Sequence, residues 1–344
     1  MATLKTLAQE LGLSVMAVSK ALRDAPDISA RTKERVRACA AKHHYTPNLA
    51  AQNLRRQRSG LLGVVLPNIH HTYYSHLAWG VERAAETAGY QLLLAHSLDR
   101  ADEEEAQVRR LAARRVEGIL MVPVPRWQHR FTSIEIASTG RIPLVLLDRF
   151  PAGVERFANV ATVVHDGQRG IELAVEHLAS LGHERILYLA GPQGSSASAA
   201  RLTGFQKAMA KHSPANPEEL TLLAGQNIPD GEAAMAKVLD EGIPATAVVT
   251  FNDSVALGAM NCLQRQGLRV PEDVSVTGMG DGLLAAQYRV PLTTVRLAKA
   301  EMGSEAVKSL LELIGKARPE PRVLPVELLP RASTGPAPER CAWA

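Results

Sequence analysis

Side chains that can bind hydroxyl groups follow apolar runs in the middle of the chain. Asp148 comes after PLVLL and Asn252 after AVVTF, and Asp281 follows VSVTGMG. A carboxylate accepts hydrogen bonds, whereas an amide both donates and accepts them, so these residue types suit the hydroxyl groups of a small ligand. Two simpler interpretations stay open, since Asn252 could cap the helix that follows and Asp148 could lie in a surface loop.

A different chemistry is concentrated near the start of the chain. Residues 1–60 contain eleven Lys and Arg residues against four Asp and Glu residues, so the rest of the chain carries −3 of a total formal charge of +4. A basic segment ahead of a mildly acidic body favours contact with a polyanion. A solvated helix face explains any one of these charges more easily than it explains the bias of the whole segment.

Motifs of enzymes, metal centres and membrane proteins are missing from the sequence. No apolar run approaches the ~18–20 residues of a membrane span, and the N-terminus lacks the pattern of a secretory signal. The three cysteines have no metal-ligand spacing. GMGDG is not a dinucleotide fingerprint, and GPQGSSAS lacks the lysine of a phosphate loop. We therefore expect a cytoplasmic protein that is not an enzyme, uses no cofactor and holds no metal.

The spacing of apolar residues predicts three short helices within the first 46 residues. Apolar residues recur at intervals of three and four from Leu4 to Leu11, before Gly12, a residue suited to a left-handed turn. Ser14 and Ser29 are good N-caps for a second and a third helix.

From residue 60 the pattern of apolar and polar residues changes. Near-continuous apolar runs such as LLGVVLP and GILMVPV alternate with amphipathic stretches such as SHLAWGVERAAETAG. This alternation predicts parallel sheets covered on both faces by helices. There are too many strands for one compact unit, so we expect two similar α/β lobes that divide near residues 164–167. Residues 332–344 contain no heptads and are expected to form a disordered tail.

Several motifs occur together in a recognisable order. Ala8, Gly12 and Val18 supply the small residue, the turn glycine and the apolar anchor of a helix-turn-helix. SARTKERVRACAAKHHYTPN and AAQNL follow, and HLASLGHERILYLAGP, TAVVTFNDSVALGAM and PEDVSVTGMGD come later. Along its length to about Arg331 the chain thus resembles the LacI/GalR family of bacterial transcriptional regulators.

The resemblance implies a domain organisation. An N-terminal all-α helix-turn-helix headpiece would span residues 1–46, and a hinge helix and linker residues 47–59. An α/β core like a periplasmic binding protein, with two doubly wound parallel-sheet lobes, would span 60–331. Lobe one would comprise about 60–161 and 290–320, and lobe two about 162–289 and 321–331.

By the same resemblance the second helix enters the major groove of DNA. Val15 and Met16 can make only apolar contacts there, for instance with a thymine methyl group, so hydrogen-bonded base discrimination falls to Lys20. Packing inside the headpiece core is the alternative for Val15 and Met16. Further contacts, mainly to phosphates, are expected from Thr3, Leu4, Ser14, Ser19, Arg23, Ser29 and Thr32.

In the hinge, the family inserts a leucine from each protomer into the minor groove at the operator centre. Leu54 matches that leucine, and Asn48, Ala51 and Asn53 are the other hinge candidates. Two helical turns are unstable alone in water, so the hinge should fold only with DNA and a second protomer present. The expected partners are a second copy of the chain and a pseudo-palindromic operator.

The resemblance also places a small-molecule effector between the lobes. Its candidate contacts are Tyr73, Tyr74, Asp148, Arg201, Asn252 and Asp281. The planar fork of Arg201 would hold hydroxyl groups or a carboxylate. Met279 with Gly280, and Asn227, depart from the family's pattern and remove one hydroxyl acceptor and one stacking aromatic ring. The sequence therefore leaves a neutral sugar, a sugar acid and another small polar ligand open.

Together these features predict a ligand-responsive, sequence-specific DNA-binding regulator. We expect a repressor of carbohydrate uptake or catabolism genes that its effector releases from the operator. One alternative is a corepressor-type regulator, in which the ligand strengthens DNA binding. The other is a stand-alone solute-binding protein, against which the basic N-terminal segment and the missing export signal argue.

Overall fold

A computed structural model of the chain describes residues 2–45, 58–125 and 131–343. The chain divides into two compact units, residues 1–59 and 60–344. Among the described residues, none of the helices combines the length and the apolarity that a membrane span requires.

The described part of the first unit consists of helices α1 (Leu4–Leu11), α2 (Val15–Leu22) and α3 (Ala30–Lys42). Local chemistry sets their ends. Gly12 ends α1 with φ 65°, and the Ser14 and Ser29 hydroxyl oxygens accept the N–H groups of Ala17 and Thr32 at the starts of α2 and α3. Apolar side chains from all three helices form one core: Leu7, Ala8, Val18, Ala21, Val36, Cys39 and Ala40.

The second unit contains two six-stranded sheets. Sheet A is built from β1 (Leu61–Leu66), β2 (Gln91–His96), β3 (Gly118–Met121), β4 (Leu144–Leu147), β5 (Val160–His165) and β11 (Arg322–Leu324). Sheet B is built from β6 (Ile186–Ala190), β7 (Thr221–Leu223), β8 (Ala247–Thr250), β9 (Ser275–Gly280), β10 (Thr293–Leu297) and β12 (Val326–Leu329). Their spatial orders are β11-β5-β4-β3-β1-β2 and β12-β10-β9-β8-β6-β7. Apart from the antiparallel pair of β10 and β12, the paired strands run parallel.

Helices cover both faces of both sheets. They are α4 (Thr72–Thr87), α5 (Ala101–Ala113), α6 (Thr132–Thr139), α7 (Gly167–Ser180), α8 (Ser196–His212), α9 (Ile228–Asp240), α10 (Asp253–Arg265), α11 (Leu283–Gln287) and α12 (Lys299–Ile314). Every residue of β3, β4 and β8 is buried, as expected for strands between two helical layers. The predicted fold class, a helical headpiece with two doubly wound parallel-sheet lobes, is confirmed.

Two helices of lobe two cross at unusually short range. A Cβ atom added to Gly258 in α10 would lie 2.1 Å from the carbonyl oxygen of Ile228 in α9, and one added to Gly231 would lie 2.2 Å from the carbonyl oxygen of Val255. Both neighbours are backbone atoms, so the crossing depends on the absence of side chains at the two glycines.

The segments that build each lobe differ from the prediction in two places. The sequence predicts residues 290–320 in lobe one, but β10 lies in sheet B, where Thr293 pairs with Thr277. It predicts residues 321–331 in lobe two, but β11 lies in sheet A, where Arg322 pairs with Val163. Four of the five β10 residues are buried, so β10 completes the core of lobe two before the chain crosses to α12.

The chain therefore passes between the lobes three times, after β5, after β10 and after β11. The first crossing follows residue 165, within the predicted break at 164–167 but beyond the predicted end of lobe one at residue 161, because all of β5 belongs to sheet A. Helix α12 returns to lobe one, where its Met302 and Leu310 join the buried core.

Residues 332–343 differ from the predicted disordered tail, because they run along lobe two. Ser333 is buried, and its hydroxyl accepts the Thr293 N–H at 2.8 Å and donates to the Val276 carbonyl at 2.6 Å. Near the end of the segment, the Trp343 indole N–H donates to the Ile243 carbonyl at 2.8 Å. Buried polar contacts and a half-buried indole thus hold the segment in place.

Candidate functional site

The second helix of the headpiece exposes two apolar side chains. Val15 is 44% exposed and Met16 69% exposed, whereas Val18 and Ala21 on the same helix are fully buried. The core-packing alternative for Val15 and Met16 therefore does not describe this structure. Helix α2 presents the apolar surface that contact with a thymine methyl group requires.

Lys20 is engaged within the headpiece. Its ammonium group is paired with the Asp27 carboxylate, and this hydrogen bond holds the pKa of Asp27 below its usual range. Both side chains are exposed, and water screens such pairs strongly. Lys20 can therefore exchange Asp27 for another acceptor at little cost.

Several other predicted DNA contacts serve the ends of the headpiece helices. Thr3 caps α1, and Arg23 donates through Nε to the Ser19 carbonyl at 3.1 Å. Leu4 is half-buried against the headpiece core. Four predicted contacts lie outside the described residues: Asn48, Ala51, Asn53 and Leu54.

A cavity of about 280 Å³ opens between the two lobes of the core. Its lining includes residues just beyond the carboxyl ends of five strands: Asp99 after β2, Asp148 after β4, Gln226 after β7, Asn252 after β8 and Gly282 after β9. This edge is where open α/β sheets bind ligands. The volume lies near the lower end of the ~300–1,000 Å³ typical of ligand pockets, which suits a small ligand.

The structure brings five of the six predicted effector contacts to this cavity: Tyr73, Tyr74, Asp148, Arg201 and Asn252. Asp281 is not among the lining residues. Its carboxylate accepts from Arg331 at 2.6 Å and from Arg296 at 3.1 Å. Although burial raises the pKa of Asp281, the two arginines hold it below its usual range. These two partners engage the carboxylate away from the cavity.

Asp148 lies at the cavity rather than in a surface loop. It is half-buried with φ 64°, and it accepts a hydrogen bond of 2.8 Å from the Tyr73 hydroxyl. Burial, with the nearby Asp148 charge, raises the pKa of Tyr73 well above its usual value, so Tyr73 stays a protonated donor. One oxygen of Asp148 is engaged in this way, and the other can accept from a ligand hydroxyl.

Arg201 is held over an aromatic ring. The side chain is nearly buried, its guanidinium carbon lies 4.2 Å from the centre of the Phe251 ring, and Nη1 donates to the Phe251 carbonyl at 2.7 Å. Its buried Nε–H has no hydrogen-bond partner among the described residues. A buried unpaired donor costs roughly 1–3 kcal/mol, and an acceptor on a bound ligand would remove that cost.

Asn252 caps a helix, as one of the two interpretations of the sequence proposed. Its Oδ1 accepts from the Val255 N–H at 2.9 Å at the start of α10, and its Nδ2 donates to the Gln226 carbonyl at 2.9 Å. The same side chain lines the cavity. Since an amide group has two N–H bonds and two lone pairs, capping still leaves it one donor and one acceptor.

Four charged cavity residues escaped the sequence analysis: Asp99, Arg149, Asp253 and Lys299. Asp253 is buried, accepts from the Gly282 N–H at 2.7 Å and from the Thr294 hydroxyl, and has its pKa raised by burial. Lys299 donates to the carbonyls of Gly280 and Asp281, and burial lowers its pKa. Lys299 begins a helix instead of ending a strand, so the strand-end pattern could not reveal it.

Hydrogen bonds join the two lobes near the cavity. In lobe one, Asp99 accepts from Arg149 at 2.8 Å, and its second oxygen accepts from Gln226 of lobe two at 3.3 Å. The backbone N–H of Phe150 donates to the Ser196 hydroxyl across the same gap at 2.9 Å. Opening of the cavity must break the bonds between the lobes.

His165, the last residue of β5, should make stability depend on pH. Burial lowers its pKa to about 4, below the model-peptide value of 6.5. The unfolded chain therefore binds the proton more readily, and stability should fall as the pH drops from 6.5 towards 4. His165→Gln is expected to reduce the slope of unfolding free energy against pH by up to about 1.4 kcal/mol per pH unit.

Urea unfolding followed by circular dichroism between pH 7 and pH 5 measures this slope. His76→Gln, at an exposed position of α4, is the matched control and should leave it unchanged. Equal slopes for the wild-type protein and His165→Gln would contradict a neutral, buried His165.

Known proteins match both parts of this arrangement. The family described as bacterial regulatory proteins, lacI family, matches residues 3–48, and the periplasmic binding protein-like domain matches residues 175–334. The lactose operon repressor of Escherichia coli (strain K12) is 32% identical over 337 residues, which cover 96% of this chain and 90% of that protein. The regulator GalR of Salmonella typhimurium (strain LT2) is 32% identical over 330 residues, covering 94% and 92%.

Solved structures agree. The Lac repressor dimer bound to operator and the anti-inducer ONPF has a TM-score of 0.85 at 29% identity, covering 97% of this chain and 99% of that chain. The complex of the transcriptional regulator CelR with cellobiose has a TM-score of 0.73 at 28% identity, covering 97% and 100%. These relatives are regulators of transcription, in agreement with the expectation that the chain is not an enzyme.

Proposed function

The chain belongs to the lacI family of bacterial regulatory proteins, whose members are ligand-responsive DNA-binding regulators, and on that premise we propose that it is a repressor of carbohydrate uptake or catabolism genes. A small sugar or sugar acid in the cavity between the lobes lowers its affinity for the operator. The effector acts by binding the DNA-free form more tightly than the operator-bound form, because a ligand with equal affinity for both shifts nothing.

The observation that carries the proposal is the chemistry of the cavity. Tyr73 with Asp148, Arg201 and Asn252 place donors and acceptors around about 280 Å³ at the carboxyl ends of two sheets. Such a set matches a ligand with several hydroxyl groups and no large apolar part. One relative, the regulator CelR, is seen with cellobiose, which supports a carbohydrate-like effector here.

In the headpiece, we assign the reading of base edges to α2. Val15 and Met16 supply apolar contacts, and Lys20 donates to a guanine after leaving Asp27. The remaining predicted contacts bind the phosphate backbone or support the helices: Thr3, Leu4, Ser14, Ser19, Arg23, Ser29 and Thr32. The acting form is a homodimer on a pseudo-palindromic operator, which the operator-bound dimer of the Lac repressor supports.

Operator affinity with and without ligand tests the function. Selection of duplexes from a random pool with the full-length protein supplies the operator, and fluorescence anisotropy then measures its Kd alone and with each candidate sugar or sugar acid. We expect the effector to raise the Kd at least about tenfold. A lower Kd with ligand would identify a corepressor-type regulator, and failure to select any duplex would favour a solute-binding protein.

Leu54→Ala should weaken specific operator binding while leaving ligand affinity in the cavity unchanged. By family resemblance Leu54 enters the minor groove of the operator centre, and without it the kink loses the side chain that supports it. We expect the operator Kd to rise at least about tenfold, with duplex binding at random sequence unaffected. Anisotropy with both duplexes checks this, and an operator Kd equal to that of the wild type would remove Leu54 from the interface.

A further inference from the structure

We propose that the cavity selects an effector that carries an anionic oxygen group together with hydroxyl groups, and that Lys299 sets this preference. The inference rests on the proposed function, because it assumes that the cavity between the lobes takes the effector. It narrows the effector from a sugar or sugar acid to a polyhydroxylated acid.

Cations in the cavity differ in how they are paired. Three line it: Arg149, Arg201 and Lys299. Arg149 forms an ion pair with Asp99 at 2.8 Å. Arg201 and Lys299 donate instead to uncharged backbone carbonyls, and within the described ranges neither has an ion-pair partner. The carboxylates of Asp253 and Asp281 act on the Lys299 charge without an ion pair, so both cations keep N–H donors that favour a ligand with a negative charge.

Lys299 is fixed at the wall of the cavity. The residue is 9% exposed, and its ammonium group donates to the carbonyls of Gly280 at 2.5 Å and Asp281 at 3.0 Å. An ammonium group has three N–H donors, so these two bonds leave a third for a ligand. Gly280 also lines the cavity and offers no side-chain acceptor to this third donor.

Arg201 supplies a second cationic donor in the same cavity. Its guanidinium donates to the Phe251 carbonyl and lies over the Phe251 ring. Its Nε–H is buried without a partner in the described structure. Charge-assisted hydrogen bonds to a carboxylate or a phosphate are about twice as strong as those between neutral groups. An anionic oxygen that accepts from this donor therefore contributes more binding free energy than a hydroxyl oxygen would.

Two of the three carboxylates that line the cavity are held by uncharged donors. Asp148 accepts from the Tyr73 hydroxyl, and Asp253 accepts from the Gly282 N–H and the Thr294 hydroxyl. Their remaining lone pairs can accept hydrogen bonds from ligand hydroxyl groups. The cavity thus combines acceptors suited to hydroxyl groups with two donors suited to an anion.

Matched pairs of probes on the full-length protein test the preference. D-gluconate, D-galacturonate and D-glucose 6-phosphate are compared with D-glucose and D-galactose by thermal shift and titration calorimetry at constant ionic strength. We expect at least one acid to raise the Tm and its neutral partner to have no effect. Stabilisation by the phosphate ester alone would assign the anion as phosphate, and stabilisation by a sugar acid would assign it as carboxylate.

Three variants on helix α12 isolate the role of Lys299. Lys299→Met, which removes the charge, should weaken binding of the acid at least tenfold. Lys299→Arg should retain the preference for the acid, which keeps the proposal testable if Lys299→Met folds poorly. Lys308→Met is the matched control, since Lys308 lies on the same helix with its side chain 62% exposed, and it should bind the acid as the wild type does.

The proposal is overturned if no acid raises the Tm more than its neutral partner, or if Lys299→Met binds the acid as tightly as the wild type. Failure of the proposed function looks different. In that case an acid would bind with the expected dependence on Lys299, and the operator Kd would stay the same in its presence.

Discussion

Arg201→Met is expected to abolish ligand binding in the cavity and to leave the ligand-free protein as stable as before, or more stable. Two lost hydrogen bonds from a charged group, at about 1.5–3 kcal/mol each, weaken binding by at least about a hundredfold. Stability should not suffer, because Met removes a buried cation whose Nε–H has no partner among the described residues, and this gain offsets the lost bond to the Phe251 carbonyl. Replacing buried charges by apolar side chains is often neutral or stabilising.

Calorimetry with the acid that stabilises the wild type, together with the Tm of both ligand-free proteins, checks this pair of effects. Lys207→Met is the matched control, because Lys207 lies exposed on the same helix α8. The operator Kd of Arg201→Met should equal that of the wild type and should no longer respond to ligand. A large drop in the ligand-free Tm would instead assign Arg201 a structural role.

Gly258→Ala is expected to destabilise lobe two by about 3 kcal/mol or more. The free-energy cost of overpacking lies at the upper end of its usual range when the neighbours are rigid. The added Cβ would lie 2.1 Å from the Ile228 carbonyl oxygen and 2.8 Å from the Glu232 nitrogen. Helix propensity alone predicts the opposite sign, because Ala is favoured over Gly by about 1 kcal/mol in a helix interior. The sign of the change therefore decides between local propensity and tertiary packing.

Urea unfolding followed by tryptophan fluorescence and circular dichroism measures the change. Gln264→Ala, at an exposed site of the same helix α10, should alter the free energy of unfolding by less than about 0.5 kcal/mol. An unchanged or higher stability of Gly258→Ala would show that α9 and α10 can separate without penalty.

Local chemistry explains why the headpiece could be predicted closely. Gly12, Ser14 and Ser29 sit at the helix ends that their types favour, and each acts through backbone atoms within four residues. Asp148 and Asn252, two of the five predicted residues at the cavity, were predictable for a similar reason. Parallel strands place the residues beyond their carboxyl ends along one edge, whichever order the strands take.

Features that depend on distant partners could not be predicted. The sequence of strand β10 is compatible with either lobe. Its pairing with β9 in the structure assigns it to sheet B. Asp281 resembles a strand-end ligand in sequence, yet Arg296 and Arg331, the latter fifty residues away in sequence, engage its carboxylate. Residues 332–343 have no periodic pattern of apolar residues that could have revealed their packing. Hydrogen bonds from single side chains such as Ser333 and Trp343 hold them in place.

The three passages of the chain between the lobes also constrain how the protein is synthesised. Sheet A lacks β11, and its core lacks Met302 and Leu310 of α12, until the ribosome has made the strands of lobe two through β10. At ~5–20 residues per second, the interval between completion of β5 and completion of β11 is on the order of 10 s. During that time lobe one exposes apolar surface that its own earlier segments cannot cover. The two lobes therefore reach their finished cores together, late in translation, and neither can mature ahead of the other.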